Sequence, residues 1–178
     1  MSSGMAYGNL IWKAQSTVLE VRGGDALDFL HRLTTQDLKG TLQEPGTSSS
    51  TSFVTAHGKL VEWCRVYRAT PDTFLLLCSV ERGLELREWI DRYVIIEDVE
   101  TNDVTTDYLH LEIGSDIDEN LQYQVDGALI IGGPAGMGFQ CEVLYPSNGP
   151  DVAVLQSMIS GDKFSRECHR LLTGQPSP

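Results

Sequence analysis

Residues 25–39 read Asp-Ala-Leu-Asp-Phe-Leu-His-Arg-Leu-Thr-Thr-Gln-Asp-Leu-Lys, and the strand-like run at residues 18–21 feeds into them. Ala26, Phe29, Leu30 and Leu33 recur at i, i+3, i+4 and i+7, which places them on one apolar stripe of a helix. Asp25, just before that stripe, is positioned to accept the free N–H groups of the first turn. Gly23-Gly24 allows a tight bend between strand and helix, and Thr34-Thr35 with Asp37 and Gly40 supplies the chemistry on which a helix ends.

Working outward from that helix, residues 10–12 and 17–21 predict strands. Residues 43–51, with Pro45-Gly46 and a Ser/Thr run, predict a surface loop. Residues 52–55, 60–68 and 73–79 are rich in Val, Phe, Tyr and Leu and are separated by His57-Gly58 and Pro71-Asp72, which predicts an antiparallel meander. In its middle strand Leu60, Glu62, Cys64, Val66 and Arg68 point one way; Val61, Trp63, Arg65 and Tyr67 point the other. Neither face is wholly apolar, as expected of a strand that borders a cleft. Residues 81–93 predict a second packed helix, with Leu86, Trp89, Ile90 and Tyr93 at helical spacing. Residues 94–99 and 108–113 predict strands, with the acidic residues 101–107 as a turn between them. This order predicts an α+β fold, with helices packed on one face of antiparallel sheet.

After Gly114 the chain changes character. Residues 115–120 are acidic, residues 128–131 and 139–145 predict strands, and Gly132-Gly133-Pro134-Ala135-Gly136-Met137-Gly138 predicts the turn between them. The glycine run is not a phosphate loop: no Gly-Lys-Ser/Thr follows, and the next element is a strand, not a helix whose N-terminus could hold phosphate. Residues 151–159 and 164–172 predict two amphipathic helices. The expected organisation is a frayed end over residues 1–9, an α+β subdomain over 10–114 and a second subdomain over 115–178.

The chain has 178 residues with 41% apolar content, enough for a core. A net charge of -12 without any Lys/Arg cluster argues against nucleic-acid binding, which needs a concentrated basic surface. No stretch approaches the ~18 apolar residues of a membrane span, and residues 1–8 lack signal-peptide pattern. The expectation is a soluble cytoplasmic protein. Cys64, Cys78, Cys141 and Cys168 are widely spaced, with no C-x-x-C pair. They suit buried thiols in a reducing compartment. His31, His57, His110 and His169 share no metal or triad spacing, so no metal site is expected.

The run Val-Arg-Gly-Gly-Asp-Ala-Leu-Asp-Phe-Leu-His-Arg-Leu-Thr-Thr-Gln-Asp-Leu at residues 21–38 resembles the opening of the folate-binding superfamily that contains the glycine-cleavage T-protein (aminomethyltransferase) and the YgfZ-type proteins of iron-sulfur maintenance. Residues 52–67 resemble that family's strand, Gly-containing turn and returning strand, and residues 73–77, 86–93 and 99 supply a third anchor. The resemblance implies the fold of the T-protein N-terminal part, a tetrahydrofolate-type ligand, and a process in iron-sulfur maintenance or one-carbon metabolism. YgfZ-type relatives carry a further Lys-Gly-Cys-Tyr-x-Gly-Gln-Glu segment, and both branches end in a β-barrel. The sequence stops before either, which leaves two readings open: a truncated member of the family, or one part of a split protein whose missing C-terminal domain a protein partner supplies.

Within that frame Glu62 is the sharpest candidate for catalysis. It stands where the T-protein strand bears the first of two Asp residues, beside the reactive nitrogens of tetrahydrofolate, and Trp63 takes the place of the second. A carboxylate in a partly dry cleft can take a proton from a developing ammonium. The competing reading is a solvated strand carboxylate paired with Arg65 or Arg68. Trp63 offers a ring to stack on a pterin or else fills space; Arg65 and Tyr67 are the neighbouring ligand-binding candidates. An anionic folate tail needs cations, for which Arg65, Arg68, Arg82 and Arg92 are nearest. Arg170 matches a family position, but Leu172 stands where relatives have a pterin-holding Glu, and unpaired ring donors there cost ~1 to 3 kcal/mol. Three readings follow: a YgfZ-like folate binder, a folate-dependent aminomethyltransferase-like enzyme, and a scaffold that has lost the ligand.

Overall fold

The computed structural model describes residues 10–114, 129–130, 140–150 and 152–157. They form two compact units. The first, Gln15–Thr106, is built on a five-stranded antiparallel sheet in the order β3-β4-β5-β2-β6. Its strands are β2 (Thr17–Arg22), β3 (Ser48–Val54), β4 (Leu60–Thr70), β5 (Thr73–Cys78) and β6 (Glu100–Asp103). Helices α1 (Ala26–Leu33), α2 (Leu38–Thr41) and α3 (Gly83–Asp91) cover one face of it. The fold is thus α+β, antiparallel sheet with helices on one face, as the sequence predicts.

The stripe in the opening stretch does what its spacing implies. Ala26, Phe29 and Leu30 are fully or nearly fully buried, packing on Leu19, Val21, Val66, Phe74 and Leu76 from the sheet. Leu86 and Ile90 of α3 close the same core. Burying each such side chain contributes about 1.5–3 kcal/mol. The stretch divides at Thr34, which turns extended and donates from Oγ1 to the Leu30 carbonyl (2.9 Å). Asp37 then caps α2 through the Gly40 amide (3.0 Å).

Asp25 does not cap α1. Its carboxylate instead accepts from the Asp98 amide (2.9 Å), while Asp98 Oδ2 accepts from the Gly24 amide (3.0 Å). This reciprocal pair ties the β2–α1 turn to the segment after α3. Gly23 sits at φ +138 beneath it, where a Cβ would fall 1.9 Å from the Asp98 carbonyl oxygen. Glycine is required there by both backbone angle and space.

Other expectations fail at the sheet edges. The predicted loop over residues 43–51 is strand from Ser48 onward, because an edge strand needs ladder bonds to one neighbour and little apolar content; only Thr51 and Phe53 are buried. Residues 94–99 form no strand. Ile95 and Ile96 are 82% and 92% exposed, and Glu97 accepts from both their amides (3.0 and 3.1 Å). The strand follows, as β6, inside the predicted acidic turn, and its acidic residues suit an exposed edge. Tyr93 falls beyond α3, 41% exposed, against the half-buried Trp89 ring at 4.6 Å.

The second unit holds a four-stranded antiparallel sheet in the order β1-β7-β9-β8, from β1 (Leu10–Lys13), β7 (Tyr108–Gly114), β8 (Leu129–Ile130) and β9 (Gln140–Pro146). Helix α4 spans Val152–Ser157. β1 and β7, which the sequence groups with residues 15–106, pair with each other in this sheet instead. Leu109, Leu111, Val143, Leu144 and Tyr145 are buried in it. The predicted glycine-rich turn at 132–138 and the helix at 164–172 lie outside the described residues.

Candidate functional site

Strand β4 carries every described residue of the predicted site, and its alternation sorts them onto two faces. Glu62 is 8% exposed on the helix-covered face, opposite Phe53 of β3 and on the same side as Cys64 and Val66. Trp63, Arg65 and Tyr67 lie on the other face: Trp63 is 42% exposed, Arg65 half-buried and Tyr67 buried. The structure therefore does not bring the four together on one surface. A single ligand touching Glu62 and Trp63 has to sit at the start of the strand. Arg170 and Leu172 lie outside the described residues.

The carboxylate of Glu62 is buried, not solvated. Its Oε2 accepts from Ser79 Oγ (3.1 Å) and its Oε1 from the Trp63 amide (3.1 Å). Ser79 is the residue that sequence reasoning missed, because the two positions are far apart in the chain and meet only where β5 turns toward α3. Beside the pair, Arg82 Nη1 donates to the Val61 carbonyl (2.8 Å). Leu60, Val80 and Leu84 remain exposed around this end of the sheet.

The other predicted cations are placed differently. Arg68 turns away to donate to the carbonyls of Leu42 (2.8 Å), Gln43 (2.7 Å) and Pro71 (2.7 Å), so it fastens the loop before β3. Its guanidinium also lies 5.7 Å from the Phe74 ring centre. Trp63, 42% exposed, does not fill the interior of the meander.

Cys64 and Cys78 are free and buried on the Glu62 side of the sheet. Burial, with a smaller contribution from Cys78 and Glu62, pushes the Cys64 thiol well up; burial, then Glu62, pushes Cys78 up to about 12. Neither is a thiolate at neutral pH, so neither is a nucleophile in this state. The arrangement offers a fixed carboxylate, a hydroxyl and an arginine at one end of an apolar-rimmed strand. Its carboxylate and hydroxyl can accept hydrogen bonds from N–H groups, and its arginine can donate them.

No family model matches the chain. Among curated proteins it is 27% identical over 150 residues to aminomethyltransferase from Pelodictyon phaeoclathratiforme, covering 83% of this chain and 40% of that protein. The chain is similar to aminomethyltransferase. Among solved structures, glycine cleavage system aminomethyltransferase T from Bartonella henselae superposes with a TM-score of 0.68 at 12% identity, over 86% of this chain and 46% of that one. The antiparallel sheets and helices described above are thus the fold of that aminomethyltransferase's matching part. A chain of heterotetrameric sarcosine oxidase from Corynebacterium sp. U-96, in complex with pyrrole 2-carboxylate, superposes at a TM-score of 0.50 and 10% identity, over 86% of this chain and 87% of that one. The chain spans about two fifths of the length of the curated aminomethyltransferase it matches.

Proposed function

We propose that the chain is a folate-binding, aminomethyltransferase-like module in which Glu62 faces the reactive nitrogens of a tetrahydrofolate-type ligand. The observation that carries this reading is the Glu62 carboxylate, buried at the start of β4 with both oxygens in hydrogen bonds, in a fold shared with an aminomethyltransferase. Trp63, which shares the start of β4 with Glu62, is the accompanying contact in this reading and offers a ring to an aromatic body; Arg65 and Tyr67, farther along the other face, and Arg170, by resemblance, stay candidates for the rest of the ligand. The curated relative favours the aminomethyltransferase-like reading over the YgfZ-type reading.

A partner polypeptide completes the site in this proposal. The likeness to a chain of a heterotetrameric enzyme supports a protein partner for this module. The module on its own binds without turning over, and aminomethyl transfer by it alone is not expected. A cytoplasmic place belongs to this proposal. Among the described residues no helix is long and apolar enough to cross a membrane.

Calorimetric titration with 5-formyltetrahydrofolate tests the proposal. Micromolar binding is expected, weakened about tenfold by Glu62→Gln, the cost of one hydrogen bond to a charged group. Weakening by Trp63→Ala with Glu62→Gln unchanged moves the ligand to the other face of β4. No heat at millimolar ligand leaves an interaction scaffold.

A further inference from the structure

Strand β4 is held in two ways along its length. Its pairing with β5 runs from Thr70 back to Arg65, which stands opposite Leu77, and β5 ends one residue later at Cys78. The start of β4 therefore outruns its neighbour on that side. The Val61 carbonyl, which points to that side, would lose its ladder partner there, at a cost of about 1–3 kcal/mol if left buried and unpaired.

Side chains from the β5–α3 turn take over where the ladder stops. Arg82 Nη1 donates to the Val61 carbonyl (2.8 Å) and Ser79 Oγ to Glu62 Oε2 (3.1 Å). The turn is itself closed, since the amides of Arg82 and Gly83 both donate to the Ser79 carbonyl (3.3 and 3.0 Å). It is seated on β2 through Gly83, where a Cβ would come within 2.3 Å of Thr17 Cβ. Two consecutive residues of β4 are thus gripped by one closed turn, and the Trp63 amide holds the second carboxylate oxygen.

We propose that Ser79 and Arg82 are positioning residues for Glu62: Ser79 fixes the orientation of the carboxylate and Arg82 fixes the strand that bears it. The role of the positioned carboxylate rests on the folate reading above; the positioning itself does not. Neither residue follows from a motif, because both act through the place where β5 stops.

The test uses hydrogen exchange at the Trp63 amide, which reports the carboxylate directly, together with 5-formyltetrahydrofolate titration, both on the full chain. Ser79→Ala is expected to speed Trp63 exchange about tenfold relative to the amides of the β4–β5 ladder and to weaken folate binding by a similar factor, with Ser79→Thr restoring both to within about threefold. Arg82→Ala, at an exposed side chain, is expected to speed the same amide without lowering overall stability by more than a surface change does. If Trp63 exchange is unchanged in both alanine variants, the positioning role is overturned whether or not folate binds. If exchange rises while the unaltered chain takes up no folate, the positioning stands and the folate reading falls.

Discussion

The two halves of β4 are built on different physics. From Arg65 to Thr70 the strand is flanked by ladders to β3 or β5 and its inward side chains meet the apolar core. From Leu60 to Cys64 it pairs with β3, while on the other side Ser79 and Arg82 take over where β5 ends. A ladder is repetitive and tolerant of side-chain identity, whereas a side-chain grip depends on particular residues. The chemistry-bearing carboxylate lies in the second half. Residues 94–99 use the same device, with Glu97 gripping the amides of Ile95 and Ile96 and the Arg32 guanidinium.

This contrast can be broken by experiment. The largest effect is expected in the ladder half: Leu76→Ala, fully buried opposite Val66, should lower stability by about 2–5 kcal/mol in chemical denaturation. A small loss there would mean that the core does not hold this half. Next, Gly83→Ala forces a methyl against Thr17 and should cost about 1–3 kcal/mol. Its structural consequence should centre on the Ser79–Arg82 turn, seen as chemical-shift changes at Val61 and Glu62 and not at Val66.

Acid sharpens the comparison at the second grip. Hydrogen bonds from the Ile95 and Ile96 amides, with Arg32, hold the Glu97 carboxyl down to about 2 from an ordinary 4.5. The unfolded chain binds that proton more readily, so the contribution of Glu97 is complete above about 4.5 and is lost as the pH falls through about 2. Glu97→Gln should be less stable at neutral pH and show a flatter loss of stability between those two values. An unchanged acid profile would show that the grip is not electrostatic. The smallest effect is expected from Trp63→Ala: its ring is exposed, so stability should shift by no more than about 0.5 kcal/mol.

Much of this architecture is legible in the chain itself. The spacing of Ala26, Phe29, Leu30 and Leu33 marks α1, and the alternation in β4 sorts Glu62 from Trp63, because both follow from backbone periodicity alone. The sheet edges mislead for a reason of the same kind. Ser48 to Thr51 and Glu100 to Asp103 carry too little apolar pattern to signal strands, yet each needs only one neighbour's ladder to become one. Ile95 and Ile96 mislead the other way: apolar and β-branched, they look like strand, but Glu97 bonds their amides and their side chains face solvent.

Asp25 and Glu62 show where local reading stops. Local reading gives each a partner within its own segment or strand: the first turn of α1 for Asp25, and Arg65 or Arg68 in the competing account of Glu62. In the structure Asp25 holds Asp98 and Glu62 holds Ser79, both brought close by the return of the chain after a strand or helix. The sequence by itself determined which residues could build helices and strands and which faces those elements would bury, since periodicity and side-chain polarity are local properties. Tertiary structure alone decided where β5 stops beside β4, and so which hydroxyl and which guanidinium meet the carboxylate, because hydrogen-bond partners distant in sequence are set by the register of whole strands.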